Sequence, residues 1–366
     1  MKIFYDHQIF SLQDAGGASR YFYELVHHLP RNKVCIDLLQ GLHNSVYPFQ
    51  GVAGVGVRVS GTRTFLAPGV VRYVANDIFS NAIALWRGRF DIYHSTLYRA
   101  LPLVSRRRLV ATHHDCIHEI YPQLFRNAKA VIENKRRLYA SADAIICVSE
   151  SSRRDLLRFY PIDERRTHVI YHGFSAFQAD AIDDGRVPGT PYVLYVGARG
   201  TYKNFVALLE AFAKSGVAST FELLAVGGGG FTPLELDKIE SLGLKKKVRV
   251  IPLASEEVLA QAYRRATILV YPSLYEGFGF PPLEAMSLGC PVLTANSSSM
   301  PEVCDNAAFY FDADDPTSLT TMLQRLLSSP QDLIAVRKRG YDQVSLYRWE
   351  DTAAKTFTTY RQVLGE

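Results

Sequence analysis

Two glutamates, Glu276 and Glu284, stand with seven residues between them in the stretch YEGFGFPPLEAM. Gly277, Gly279, Pro281 and Pro282 lie between them. Ionised carboxylates accept hydroxyl hydrogen bonds well. A glycine loop lets a ligand approach the backbone closely, and the N–H groups at a helix start hold anions. The preceding ILVYP reads as a strand, which puts Glu276 on the loop after a strand's carboxyl end. Proline suits a helix's first turn and glycine its end. The helix therefore runs from the prolines to Gly289, with Glu284 in its first turn. A carboxylate beside an anion site repels a bare phosphate but suits hydroxyls next to one. A molecule with sugar hydroxyls on both sides of a diphosphate, a nucleotide sugar, fits this layout. For Glu284 alone, a helix start whose charge complements the macrodipole is an equal reading.

Three further stretches carry polar chemistry. In YVGARGTYKNF, Gly197 ends a strand, and Arg199 and Lys203 follow it. Two cations at a strand's carboxyl end suit a diphosphate leaving group; surface charge is the plainer account. In DAGGASRY, Gly16 and Gly17 fall between a first strand and a first helix, where phosphates meet helix N-termini in α/β folds. A Gly-Gly pair is also an ordinary turn, as is VGGGG at 226–230. THHDCIHEIYP gathers His113, His114, Asp115, His118 and Glu119, with His114 and His118 on one helix face if the segment is helical. However, Tyr121-Pro122 follows at once and Thr112 to Asp115 reads as a strand end. No further ligand set is evident, so no metal is expected. A histidine at a strand end, lining a cleft, is the expected role.

Strands and helices alternate throughout. KIFY, VCIDLL, FDIYHS, RLVATHHD, AIICVS and HVIYHG read as strands, and ASRYFYELVHHL has helical spacing. Residues 174–190 hold Asp183-Asp184-Gly185, Pro188 and Gly189, all turn formers, and read as a linker. The pattern then restarts with YVLYVG, NFVALLEAFAKS, FELLAVGG, VRVIPL, SEEVLAQAYRRA, ATILVYP and PVLTA. Such alternation, shown twice, argues two doubly wound parallel sheets. The expected architecture is α/β, with domains 1–173 and 191–346 facing across a cleft lined by the strands' carboxyl ends. The final DTAAKTFTTYRQVL reads as a helix able to pack on either domain.

Composition narrows the classes. The 366 residues suit two cores. A formal charge of +5 is too mild to imply nucleic acid. The basic residues cluster in Arg106–Arg108, Lys135–Arg137, Arg153–Arg154 and Lys245–Lys247. These read as solvated faces, or more sharply as a surface for anionic lipid or an anionic acceptor. Five scattered cysteines without a C-x-x-C pair argue against a disulfide framework. MKIFYDHQIF has no signal-peptide pattern, and the apolar Phe65–Trp86 stretch contains Arg72 and Asp77, so a spanning helix is not expected. The expectation is a cytoplasmic protein that is either soluble or peripheral at the inner face of the membrane.

The segments GGASRYFYELVHHL, THHD, ADAIICVSESSRRDLL, VIYHG, YVGARGTYKNF, PSLYEGFGFPPLEAMSLGCPVL, SSSMPEV and RWEDTA together resemble the retaining glycosyltransferase family 4. The resemblance covers nearly the whole chain and implies the GT-B fold, with the last helix, about 347–366, packing back on the first domain. It implies that Glu276 touches the transferred sugar and Glu284 the ribose, with the backbone of Gly277, Phe278 and Gly279 along the sugar and diphosphate. It assigns Lys203 to phosphate, Gly17 to the β-phosphate and His114 to the transferred sugar. Arg199 is a weaker match, because the family's arginine often sits elsewhere around that strand end. His172 replaces a common asparagine and receives no role.

The implied activity is hexosyl transfer with retention, without a required metal or cofactor. The co-substrate is a nucleoside-diphosphate sugar, and the acceptor a polysaccharide or lipid-linked glycan. The YDHQIFS opening resembles polysaccharide mannosyltransferases and makes GDP-mannose the first donor, with UDP-glucose next. A glycoside hydrolase using Glu276 and Glu284, a nucleotide-sugar epimerase and an inactive nucleotide-binding subunit are the alternatives.

Overall fold

The computed structural model describes residues 1–14, 16–30, 32–47, 49, 56–64, 69–87, 90–99, 108–177, 183, 185–252 and 254–366. Arg106, Arg107 and part of the expected linker lie outside the described residues. The chain divides into two compact units. One joins Met1–Gly173 to Arg348–Glu366; the other is Phe174–Tyr347, whose range takes in the expected linker.

The first unit holds strands β1 (Lys2–Tyr5), β2 (Cys35–His43), β3 (Val57–Arg63), β4 (Ile92–Ser95), β5 (Arg108–His113), β6 (Ala144–Cys147) and β7 (Thr167–Val169). They form one sheet in the order β3-β2-β1-β4-β5-β6-β7, every pair parallel. The second unit holds β8 (Tyr192–Val196), β9 (Glu222–Val226), β10 (Val248–Ile251), β11 (Ile268–Tyr271), β12 (Val292–Ala295) and β13 (Phe309–Phe311). Their order is β10-β9-β8-β11-β12-β13, again all parallel. Central strands such as YVLYV and ILVY are buried along their whole length, as a sheet covered on both faces requires. The edge strand β3, VRVSGTR, is largely exposed and lacks an apolar run, so the sequence reading passed over it.

Each sheet reverses its winding once. β1 lies between β2 and β4, and β8 between β9 and β11. The loops leaving β8 and β11 therefore diverge from neighbouring strand ends and leave a crevice between them. The helix Phe205–Lys214 is held beneath this crevice by Phe205, Leu208, Leu209 and Phe212, at helical spacing, against Val193, Leu223 and Val270.

The helix Trp349–Leu364 seats on the first unit's sheet through polar contacts inside its core. The Tyr360 hydroxyl lies 2.8 Å from the Tyr5 hydroxyl and 2.6 Å from His94 Nδ1. The Thr352 hydroxyl donates to the Tyr171 carbonyl at 2.8 Å. Gly173 permits the approach, since a Cβ there would fall 2.3 Å from the Trp349 nitrogen.

The basic runs are not one charged surface. Lys135 is fully buried, donating to the Asp115 carbonyl at 2.8 Å and to Glu119 at 3.1 Å. Arg136 and Arg137 both bond Glu133, Arg108 bonds Asp143, and Arg153 pairs with Glu150 and Glu164. The apolar 65–86 stretch contributes the helix Gly69–Arg87, which buries Arg72, Asn76 and Ser80 while exposing Val71, Val74 and Ile78. Among the described residues, no helix is long and apolar enough to cross a membrane.

Replacing Tyr360 by phenylalanine should strand a buried imidazole nitrogen and cost about 1–3 kcal/mol. Denaturant unfolding checks this, and a change below the error of the measurement would show that the contact carries no weight.

Candidate active site

In the second unit, the loop after β8 carries Lys203 and the loop after β11 carries Glu276. The strands are neighbours at the reversal point, which is why residues 73 apart in sequence meet. Lys203 Nζ lies 2.5 Å from Glu276 Oε1. The Tyr271 hydroxyl, from the last residue of β11, donates to the same oxygen at 2.7 Å and lies 3.5 Å from Lys203 Nζ. Both charged side chains retain some exposure, 17% and 13%. The cation and carboxylate are thus held together at a strand-end crevice, within reach of an incoming anion.

The loop from Glu276 to Gly279 is fixed from the segment NSSSM. The Glu276 N–H donates to Ser298 Oγ at 2.9 Å, and the Ser299 hydroxyl reaches the carbonyls of Glu276 and Phe278 at 3.0 Å each. Gly279 caps the following helix at φ +96°. That left-handed conformation favours glycine, and a Cβ there would also push the Met300 methyl, 2.3 Å away, aside. The Phe278 ring is buried against Phe280 and Tyr347, with centroids 5.4 and 5.5 Å away. Only its main chain is available to a ligand.

Two expectations are corrected. First, the helix spans Phe280–Ser287, beginning one residue before the prolines, so Glu284 is its fifth residue and lies beyond the first turn. Moreover, Pro281 and Pro282 have no N–H, and two of the helix's first donors are missing. Any anion contact here rests on the loop amides rather than on a full helix start. Second, Arg199 does not face the Lys203–Glu276 pair. Its Nε donates to Glu235 at 2.9 Å and its Nη1 to the Gly227 carbonyl at 2.6 Å. Its Nη2 reaches the carbonyls of Gly229 and Gly230 at 3.1 and 2.7 Å. The guanidinium is 3% exposed and organises the Gly227–Gly230 turn. Glu235 is itself anchored by a capping box with Thr232. By contrast, the reading of Thr112 to Asp115 as a strand end holds: β5 ends at His113, and His114 precedes the short helix Ile117–Ile120, so His114 and His118 do not share a helix.

Glu284 receives a hydrogen bond from the Tyr263 hydroxyl at 2.9 Å. Tyr263 sits on the helix Glu256–Arg265 with its ring buried. Tyr271, Tyr263, Ser298 and Ser299 were all missed by the sequence reading. Tyrosine at a strand end or on a helix reads as core, and only the fold shows where its hydroxyl points.

In the first unit, Gly17 is the first residue of the helix Gly17–His28, and the short helix Gln8–Leu12 stands between it and β1 where the sequence reads as a loop. The Ser19 N–H at this helix start is taken by the Gln13 side chain at 2.9 Å. His114 directly follows β5. Its ring packs edge-on to Tyr21 at 5.8 Å and is stacked with His172 at 6.1 Å. Its Nε2 has no hydrogen-bond partner among the described residues. Burial is the main cause that pushes its pKa down to about 4; Asp115 opposes the shift and Lys135 adds to it. His114 is therefore a neutral hydrogen-bonding group near pH 7. Among the described residues, no cluster of histidine, cysteine or carboxylates could hold a metal.

Residues 15–176 match the family Glycosyltransferase Family 4, and residues 178–343 match Glycosyl transferases group 1. The chain belongs to the family 4 glycosyltransferases. The O-antigen chain mannosyltransferase B of Escherichia coli is 28% identical over 273 residues, covering 69% of this chain and 70% of that protein. The MMP alpha-(1->4)-mannosyltransferase of Mycolicibacterium hassiacum is 28% identical over 308 residues, covering 76% and 72%. In fold, sucrose-phosphate synthase from Thermosynechococcus elongatus superposes with a TM-score of 0.78 at 21% identity, covering 100% of this chain and 99% of that one. This glycosyltransferase thus has the GT-B fold, with two Rossmann-like units of parallel sheet.

Burial sets a pH response in the first unit. It lowers the pKa of His94 to about 3 and of His114 to about 4, and holds His113 and His172 well below the usual 6.5. A histidine whose folded pKa is depressed binds protons more readily when unfolded. Its stabilisation is complete above about pH 6.5 and is lost as pH falls towards the folded value. Melting temperatures should fall steadily from pH 7 to pH 5, a range in which ordinary carboxylates stay largely ionised. A flat profile over that range would contradict this.

Proposed function

We propose that this glycosyltransferase moves a mannosyl group from a nucleoside-diphosphate sugar, GDP-mannose first, to a polysaccharide or lipid-linked glycan with retention of configuration. The observation that carries the reading is Lys203 against Glu276 at the β8/β11 crevice, beside a loop held open by glycine. Support for mannose comes from the mannosyltransferases among the relatives.

In this reading the donor's diphosphate takes Lys203 from Glu276. The bond between the sugar's anomeric carbon and the phosphate oxygen breaks, and the diphosphate leaves with the electron pair. Lys203 and the loop amides offset the charge that grows there. The acceptor hydroxyl bonds to the anomeric carbon on the face the phosphate leaves, and its proton passes to the departing phosphate. Glu276, released from the lysine, orients the sugar through its hydroxyls, and Glu284 holds the ribose. His114 contributes a neutral hydrogen bond to the sugar, and Gly17 a close backbone approach to the β-phosphate. Lys203 supplies the positive charge at the leaving group, so the reading needs no metal.

Incubation with GDP-mannose, UDP-glucose and other sugar nucleotides, with a glycan acceptor, tests this. Release of GDP coupled to an α-mannoside, seen by NMR, is the expected result. Turnover of UDP-glucose alone would move the donor to the UDP class. Cleavage of the glycan without any sugar nucleotide would overturn the reading in favour of hydrolysis.

A second outcome concerns Glu276→Gln. The change removes the carboxylate that holds Lys203 in the free protein. Transfer should fall by about a hundredfold or more, while affinity for the nucleoside diphosphate stays level or tightens by calorimetry. An unchanged transfer rate would remove Glu276 from the site.

A further inference from the structure

Each carboxylate of the Glu276/Glu284 pair is gripped by its own buried tyrosine. Tyr271 ends β11 and donates to Glu276 Oε1 at 2.7 Å. Tyr263 lies on the helix Glu256–Arg265 and donates to Glu284 Oε2 at 2.9 Å. The tyrosines come from consecutive elements, a helix and the strand that follows it, both buried in the second unit. The glutamates come from the loop and helix that follow that strand. A helix and a strand thus reach two ionisable side chains, one hydroxyl to each.

We propose that Tyr271 and Tyr263 are positioning residues, each fixing one carboxylate of the pair so that it meets a set of ligand hydroxyls without first being ordered. This rests on the functional reading above and deepens it, separating a sugar-side device from a ribose-side one.

The direction of the bonds is unambiguous, because an ionised carboxylate only accepts. Burial, followed by the neighbouring carboxylate, pushes both hydroxyls well above the ordinary tyrosine range, so they stay protonated donors. A fixed donor on one oxygen limits rotation of the carboxylate and leaves its remaining lone pairs aimed in a set direction. For Glu276 this matters most at the moment Lys203 turns to the diphosphate. The lysine's hold is then gone, and Tyr271 alone keeps Glu276 Oε1 in place. Among the described residues, Glu276 Oε2 has no hydrogen-bond partner, which leaves it to accept from a sugar hydroxyl. Tyr263 is steadied from its own side by Phe177, with ring centroids 5.9 Å apart. Its hydrogen bond to Glu284 is made in the free protein, ahead of any ligand.

The two tyrosines therefore affect different kinetic quantities. A carboxylate aligned for the reacting sugar contributes in the transition state, whereas one aligned for the ribose contributes to binding in ground and transition state alike. The test uses the full chain with Tyr271→Phe and Tyr263→Phe, which keep the rings and the packing. Tyr271→Phe should lower kcat by about tenfold or more, with donor KM and nucleoside-diphosphate affinity within about twofold of wild type. Tyr263→Phe should weaken nucleoside-diphosphate affinity by about tenfold and narrow the preference for that nucleotide over its 2′,3′-dideoxy analogue, with kcat little changed. A merely structural role would instead lower the melting temperature and reduce both quantities together in both variants, which would overturn the proposal. Wild-type behaviour of both variants would overturn it equally. If the wild-type chain itself neither binds a nucleoside diphosphate nor consumes a sugar nucleotide, the functional reading fails, and this proposal with it. Wild-type transfer with indifferent tyrosine variants sinks only the proposal.

Discussion

The site depends on a single ion pair held between neighbouring strand ends, Lys203 against Glu276. A lysine and a glutamate with little exposure attract strongly, but that attraction is offset by the water both have lost. Their pairing is therefore a poor reason for the fold to be stable. It is a good reason for a site to be exchangeable, because a diphosphate carries more charge than a carboxylate and can replace it as the lysine's partner. Everything around the pair serves its placement. The winding reversal brings β8 beside β11, Ser298 and Ser299 hold the glycine loop, and Tyr271 holds the carboxylate.

A comparable economy of charge governs the first unit. Its interior contains His94, His113, His114 and His172, all depressed in pKa by burial. They act as neutral hydrogen-bonding and aromatic groups. His94 bridges Tyr360 and Thr112, at 2.6 and 2.8 Å, and so links the returning C-terminal helix to the sheet. Lys135, on the helix Ala128–Ser141, is buried against the THHDCIHE segment and is satisfied by Glu119 and the Asp115 carbonyl rather than displayed. A cluster that looks like metal ligands in sequence is resolved by the fold into strand, loop and short helix, so its members do not converge on one point.

The fold was highly legible in the sequence, for a physical reason. Parallel strands buried on both faces are continuous apolar runs, and YVLYV, ILVY and AIIC are unmistakable in that respect. The edge strand β3 escaped notice because VRVSGTR carries no such run. Lys203, Glu276 and the glycine loop were legible because strand-end position and residue type coincide there. Arg199 misled because a cation at a strand end can turn either way. The neighbouring Gly227–Gly230 carbonyls and Glu235, remote in sequence, decide its direction. The Pro-Pro pair misled in a subtler way, since it marks a helix start and at the same time deletes the donors that make a helix start an anion site. The tyrosines could not be read at all, because sequence shows a hydroxyl's presence and not its aim.

The most direct measurement is calorimetric titration of a nucleoside diphosphate and its monophosphate into the wild-type chain and into Lys203→Ala. The diphosphate should bind the wild type more tightly than the monophosphate, and that preference should collapse in the variant while the monophosphate is little affected. An undiminished preference in Lys203→Ala would place the diphosphate away from the β8/β11 crevice and contradict the account.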